Sequence, residues 1–295
     1  MFAYFLYRLG AFVANHIPRS LGNWLSLRIA DCNYFLNRTS RDSARANLRV
    51  ILGPDASEAH RYYALRWVFR CFGKYFFEFI GNKRFNAEFF DRSVTFMGTE
   101  HIDAARQRGN GVVLVSAHLG SWELGAAAMS FRGTPVLSII QKHPNPRIHE
   151  FYIRQRENRN YKAVYVGEAA RPILKHLKEN GLVAVLGDRP YGEEGVRIRF
   201  FGHDVVFASG PARLALTSRA ALIPGFVLRR WDDSFRIFFL KPIIPPEGVS
   251  KEEKIRHMTQ EFARHLERLV RENPTQWPTF YKVFEGNGRP EWRGI

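Results

Sequence analysis

The chain has 295 residues, with 44 Lys and Arg against 28 Asp and Glu, a formal net charge of +16. Hydrophobic residues make up 45% and aromatic ones 14%, ample for a packed core and contrary to disorder. Two cysteines, Cys32 and Cys71, exclude a disulfide scaffold and a four-cysteine zinc site. So many cations among so many Phe, Tyr and Trp leave two broad partners, nucleic acid or an anionic membrane surface.

In chain order, the apolar stretch from Met1 to His16 is interrupted by Arg8 and is too short for a spanning helix. The cation lies within the stretch, which argues against a cleaved signal peptide. Phe2, Phe5, Leu6, Leu9, Phe12 and Val13 fall on one broad helical face, of the kind that lies in a bilayer interface. A second helix is expected after Ser57. There Arg66, Arg70 and Lys74 recur every four residues as a cationic stripe, beside an apolar stripe of Phe69, Phe72, Phe76 and Phe79, with Trp67 and Tyr75 nearby. Both stretches tilt the balance toward a membrane surface. Nucleic-acid binding is disfavoured, since the cations cluster with aromatics in the N-terminal helices and no recognised reading motif appears.

Residues 1–90 read as a helical, membrane-associating region. From residue 91 to 295 the texture is that of one α/β unit. Strands are predicted at Gly111–Ala117, Pro135–Ile140, Leu182–Gly187, Ala221–Leu228 and Phe235–Leu240. Helices are predicted near Trp122–Ser130, Arg147–Asn158, Glu168–Glu179 and Pro211–Arg219, with a last amphipathic helix carrying Ile255, Met258, Phe262, Leu266 and Leu269. This alternation predicts a largely parallel sheet flanked by helices. The runs GVVLVSA and GLVAVLG are apolar throughout, as strands buried on both faces are. The tail from Asn273 is expected to be irregular.

Chemistry concentrates in VLVSAHLGSWELGAAAM. His118 follows a strand at its carboxyl end, where functional groups collect in open α/β sheets. Gly120 and Ser121 make a turn, and Glu123 lies in the first turn of the next helix. A carboxylate there could hold one imidazole nitrogen and leave the other to take a proton from a hydroxyl. Gly120 would clear space for substrate, and backbone N–H groups at the helix start could bind an anion. His143 and His149 lack further ligands at metal spacing, so no metal site is expected. Walker-type and G-x-G-x-x-G loops are absent. Arg229-Arg230-Trp231 reads as an exposed strand end, near a headgroup or simply solvated.

His118-Leu-Gly-Ser-Trp-Glu123 resembles the His-x4-acid motif of the lipid A biosynthesis acyltransferase family, which includes phosphatidylinositol mannoside acyltransferases, within the lysophospholipid acyltransferase superfamily. Ser121 stands where Asn is usual. Other segments resemble that family in order: Ala46-Asn47-Leu48, Phe96-Met-Gly98 with Glu100-His101, Asn145-Pro146 with Arg154 and Arg156, Gly187-Asp188-Arg189-Pro190, Phe200-Phe201-Gly202, Ser209-Gly210-Pro211-Ala212, Ile223-Pro224 and Pro274-Thr-Gln276-Trp277. The resemblance implies a glycerol-phosphate acyltransferase-like fold. It further implies a membrane-associated enzyme on the cytoplasmic face of the inner membrane, one that moves a fatty acyl chain from acyl-carrier protein or acyl-CoA to a lipid hydroxyl. No cofactor beyond that thioester is implied. His118 and Glu123 would form the catalytic dyad. Gly120, Ser121, Arg154, Arg156, Asp188 and Arg189 would contact substrate, with Arg156 on an anionic group or the developing oxyanion and Asp188 orienting Arg156, Arg189 or the acceptor. A thioesterase or lipid hydrolase using the same dyad is the alternative.

Overall fold

The computed structural model describes residues 2–81, 85–159, 161–165, 170–190 and 195–285. Four helices come first: α1 (Phe2–His16), α2 (Arg19–Leu36), α3 (Arg38–Leu52) and α4 (Glu58–Ile80). Ser57 caps α4 as its position suggests, its side chain accepting the His60 N–H at 3.2 Å. Helices α2 and α4 cross closely at Gly73, where a Cβ would lie 2.9 Å from both the Ala30 Cβ and the Ser26 carbonyl oxygen.

The α/β layer follows: α5 (Ala87–Ser93), β1 (Val94–Met97), α6 (Thr99–Arg106), β2 (Val112–Ser116), α7 (Trp122–Phe131), β3 (Val136–Ile140), α8 (Pro146–Glu157), β4 (Lys162–Tyr165), α9 (Ala170–Lys178), β5 (Leu182–Leu186), β6 (Val196–Phe200), β7 (His203–Phe207), α10 (Gly210–Ser218), β8 (Ala221–Arg229), β9 (Phe235–Phe239) and α11 (Lys251–Glu272). A seven-stranded sheet runs in the order β1-β9-β8-β2-β5-β3-β4. The five strands from β8 to β4 are mutually parallel, β9 is antiparallel to β8, and β1 is parallel to β9. Strands β6 and β7 form a separate hairpin. The fold is therefore mixed α/β with a mostly parallel central sheet and helices on both faces, as the sequence predicts.

All five predicted strands are present, because fully apolar runs such as Val112–Val115 are buried from both sides. Strands β1, β4, β6 and β7 were not among the five. β4 is short and only partly buried, and β6 alternates exposed Arg197 and Arg199 with buried Ile198 and Phe200. The helix predicted from Glu168 is α9, whose first two predicted residues lie outside the described ones. Ser250 opens α11 with a reciprocal capping box to Glu253. The tail begins with a 3₁₀ turn at Pro274–Gln276.

Two apolar clusters sandwich the sheet. One joins α9, α10 and α11 to its strands and includes Trp277, and the other joins α5, α6 and α7. The N-terminal helices pack on this layer through Phe280 on one side and through Phe151, Tyr152 and Trp122 on the other.

The N-terminal helices separate their apolar and charged faces differently from each other. On α1 the outward face carries Phe5, Leu6, Leu9 and Phe12, while Tyr4, Tyr7, Ala11 and Ala14 pack inward. The cationic stripe of α4 is a correction to the sequence reading, because it is not a solvent-facing surface. Arg66 and Arg70 both chelate Asp31 of α2, at 2.8–3.0 Å, and Lys74 pairs with Asp233 at 2.7 Å. The Arg70 and Arg66 hydrogen bonds hold the Asp31 carboxyl far below the usual carboxylate range despite its burial. Helical periodicity identifies a stripe but not what covers it. Here carboxylates from α2 and from the β8–β9 turn do so.

Candidate active site

Strands β2 and β5 are parallel neighbours in the register Ser116↔Leu186. The Gly187 N–H donates to the Ser116 carbonyl at 2.8 Å and carries the ladder past both strand ends. His118 and Asp188 each stand two residues beyond their strand, so the register sets them side by side at the carboxyl edge of the sheet. The His118 Nδ1 and Asp188 Oδ1 are 2.8 Å apart, and the His118 backbone N–H also donates to the carboxylate at 3.2 Å. The Trp277 indole N–H completes the shell, donating to Asp188 Oδ2 at 3.1 Å. Asp188 is fully buried, while 20% of the His118 side chain is exposed. Nε2 of His118 has no hydrogen-bond partner among the described residues.

Electrostatics agree with this geometry. Burial pushes the Asp188 carboxyl up, but the His118 ring, Arg189 and the Trp277 N–H outweigh it and hold the group down at about 2. Burial lowers the His118 imidazole, with Arg189 adding to the effect and Asp188 opposing it without cancelling it. At neutral pH the pair is thus a carboxylate and a neutral ring. Nδ1–H donates to Asp188 and Nε2 is left with its lone pair.

Glu123 is a correction. Its carboxylate does not hold an imidazole nitrogen. It is bound by the Arg156 Nε and terminal nitrogen and by the Tyr161 hydroxyl, all three side chains being buried. Burial raises the Glu123 carboxyl, and the Arg156 and Tyr161 contacts more than offset that, leaving it below its ordinary value. Five positions after His118, the chain has turned into α7 and points Glu123 toward α8 rather than back at the ring. Glu123→Gln removes the counter-charge of a buried guanidinium and should destabilise the fold by roughly 3–5 kcal/mol. A urea melt measures this. Unchanged stability with a large loss of kcat would instead mean that Glu123 acts on the ring.

Arg156 is correspondingly engaged. Its guanidinium is occupied by Glu123 and by the Tyr152 carbonyl, not presented to an anion. Arg154 lies on the opposite face of α8, 62% exposed and paired with Glu150. Ser121 is buried, donating to Glu78 at 3.2 Å and accepting from Arg229 at 3.4 Å. Gly120 adopts φ +63, and a Cβ there would land on the Val227 carbonyl oxygen. What approaches Gly120 is therefore the chain's own β8 backbone, not substrate. Its N–H donates to the Gln276 carbonyl at 2.7 Å, and that of Ser121 to the Val227 carbonyl at 3.3 Å, so neither is available to an anion. Arg189 stays near the pair, its Nε 4.0 Å from Asp188, its NH2 on the Pro278 carbonyl at 3.1 Å and its guanidinium over Tyr281.

The segments at the two ends of the chain have local tasks in the same shell. The Gln276 side chain pairs with both backbone groups of Arg229 at 2.9 Å. Asn47 donates to the Thr279 and Tyr281 carbonyls and accepts the Val283 N–H, pinning the tail that carries Trp277. Beside the pair, Trp122 stands 5.1 Å from the His118 ring, centroid to centroid. Beneath α7, a mostly apolar cavity of about 90 Å³ is lined by Leu114, Trp122, Met129, Ile139 and Phe226.

The chain matches the family model for bacterial lipid A biosynthesis acyltransferases over residues 1–285. It belongs to that family. A phosphatidylinositol mannoside acyltransferase of Mycobacterium tuberculosis is 25% identical over 256 residues, covering 83% of this chain and 77% of the relative. The lipid A biosynthesis lauroyltransferase of Escherichia coli K12 is 26% identical over 201 residues, covering 66% and 62%. Among solved structures, the 1-acyl-sn-glycerophosphate acyltransferase of Thermotoga maritima superposes with a TM-score of 0.38 at 17% identity, over 85% of this chain and 96% of that one. The chain is thus an acyltransferase of a family that acts on lipid or glycolipid acceptors. No helix among the described residues is long and apolar enough to cross a membrane.

Proposed function

We propose that this acyltransferase moves a fatty acyl chain from a thioester, on acyl-carrier protein or coenzyme A, to a hydroxyl of a lipid or glycolipid at a membrane surface, with His118 as general base. The observation that carries the reading is the buried Asp188 carboxylate on Nδ1 of a partly exposed imidazole whose Nε2 has no hydrogen-bond partner among the described residues. Nε2 takes the acceptor proton as its oxygen attacks the thioester carbonyl. A C–O bond forms, the C–S bond breaks, and the imidazolium returns the proton to the departing thiolate. Asp188 is a positioning residue, holding the tautomer and stabilising the imidazolium, and Trp277 holds Asp188. Glu123, Arg156 and Tyr161 brace the start of α7 against α8. Arg189 is the cation nearest the pair and supports binding of an anionic group there. The cavity beside Trp122 suits the first carbons of the acyl chain.

The helical N-terminal region supplies membrane association. Phe5, Leu6, Leu9 and Phe12 of α1 and Leu21, Trp24, Phe35 and Leu36 of α2 are exposed apolar side chains on a strongly cationic chain, which suits a peripheral position on anionic lipid. The test is an acyl-transfer assay with labelled thioester and lipid acceptor in vesicles, following acylated lipid and free thiol together. Stoichiometric acylated lipid and thiol are expected. Thiol release with free fatty acid, across a panel of hydroxylated lipids, would replace transfer by hydrolysis.

A further inference from the structure

The turn between β8 and β9 carries a side chain that folding does not account for. Trp231 is 95% exposed, between exposed Arg230 and Asp232. The turn that presents it is not loose. The Arg230 N–H donates to the Ser234 carbonyl at 2.8 Å, Asp233 returns its N–H to the Arg230 carbonyl at 3.1 Å, and Asp232 takes both the N–H and the hydroxyl of Ser234. Asp233 lies in the left-handed region at φ 62 and is gripped from three elements. Arg19 of α2 donates to its carbonyl at 2.6 Å. Asn23 of α2, Lys74 of α4 and Arg229 of β8 all reach its carboxylate. The turn is thereby fastened to the first residues of α2, beside the exposed Leu21 and Trp24. Through Arg229 it also continues to Glu78 and Ser121, in the turn that follows His118.

A tryptophan fully exposed to water on a clamped turn, next to an arginine, matches the chemistry of a headgroup-level anchor: an amphipathic ring with a cation for lipid phosphate. We propose that the β8–β9 turn is a second membrane contact, in which Trp231 inserts at headgroup depth and Arg230 pairs with anionic phospholipid. It lies at the α1–α2 corner and sets the orientation of the His118 edge over the bilayer. The inference rests on the membrane reading above and adds a contact outside the N-terminal helices. The occupant is an anionic bilayer, argued from the net charge of +16 and from the attachment of the turn to the exposed apolar residues of α2.

The test uses the full chain and vesicles of phosphatidylglycerol with phosphatidylethanolamine, read by flotation and by quenching from brominated lipids. Trp231→Ala should weaken partition about tenfold and remove a shallow-quenched fluorescence component, with an unchanged melting temperature. Arg230→Gln should weaken partition about fivefold, an effect lost at high salt. Phe12→Ser, on α1, is the comparator. If Trp231→Ala binds like wild type while Phe12→Ser loses binding, the turn is not a contact and the helices alone hold the membrane. If wild type itself does not float, this inference and the membrane reading both fall. If Trp231→Ala changes the mass in solution by light scattering and leaves flotation intact, the partner is a second copy of the chain and the lipid assignment is overturned.

Discussion

His118→Ala should lower acyl transfer by about three orders of magnitude, with little change in KM for either substrate. The magnitude follows from general base catalysis, which contributes roughly 10²–10⁴-fold when a single group accepts the nucleophile's proton. The loss should appear in kcat, because Nε2 acts on the reacting hydroxyl rather than on the bound acyl chain. Asp188 keeps two donors in the variant, the residue-118 backbone N–H and the Trp277 indole, so the fold should survive and a thermal melt confirms it. Retention of wild-type kcat in folded His118→Ala would remove the proposed base. The pH profile carries a separate prediction. Burial and Arg189 place the imidazole pKa of the free enzyme below its ordinary 6.5, so kcat/KM should stay high at pH 6.5 and fall only at lower pH. The sign for stability is the same. Below about 6.5 the unfolded chain takes up a proton that the folded ring resists, so this group's contribution is complete above that value and declines as pH drops.

Asp188→Asn is the second large effect, expected at 10²–10⁴-fold in kcat. The amide keeps the shape of the carboxylate but not its charge, so it neither stabilises the imidazolium nor enforces Nδ1–H as the donor. Loss of the opposing carboxylate should also move the acid limb of the pH profile further down, since Asp188 is what raises the ring's affinity for a proton. A merely structural role would leave that limb in place. Trp277→Phe removes one hydrogen bond from Asp188 and should cost about tenfold in kcat, in the same direction. The Asp188 carboxyl, held at about 2 against about 3.9 for a free aspartate, contributes stability above the higher value. That contribution is lost as pH falls through the lower one. Acid melts of wild type and Asp188→Asn should therefore converge only below about pH 2. Steady-state rates for Glu123→Gln complete the comparison, with a stability loss rather than a shifted pH limb.

Several features were legible because they depend on local pattern. The strands around GVVLVSA and GLVAVLG could be identified because a run apolar at every position must be buried on both faces. The outward face of α1 was legible too, because Phe5, Leu6, Leu9 and Phe12 share one side of a helix whatever lies opposite. The position of His118 at a strand's carboxyl end follows from the same strand. Its partner also has a signal in the sequence. GVVLVSAH and GLVAVLGD run the same seven residues from an opening glycine to a polar residue, so parallel pairing of the two strands would set His118 against Asp188. Spacing along the chain favoured Glu123 instead, because sequence proximity is visible and sheet order is not.

From the sequence alone, the chain is a mostly parallel α/β protein with helical, cationic, aromatic-rich N-terminal segments and a histidine placed for acid–base chemistry. Periodicity and strand polarity are properties of short segments, so they can be read from those segments by themselves. Pairing was decided only in the tertiary structure. The β2–β5 register gave His118 to Asp188, the turn into α7 gave Glu123 to Arg156 and Tyr161, and α2 covered Arg66 and Arg70 with Asp31. Each of these is a buried charge satisfied by residues distant in the chain. Burial makes an uncompensated charge costly, but it does not say which opposite charge the fold will bring.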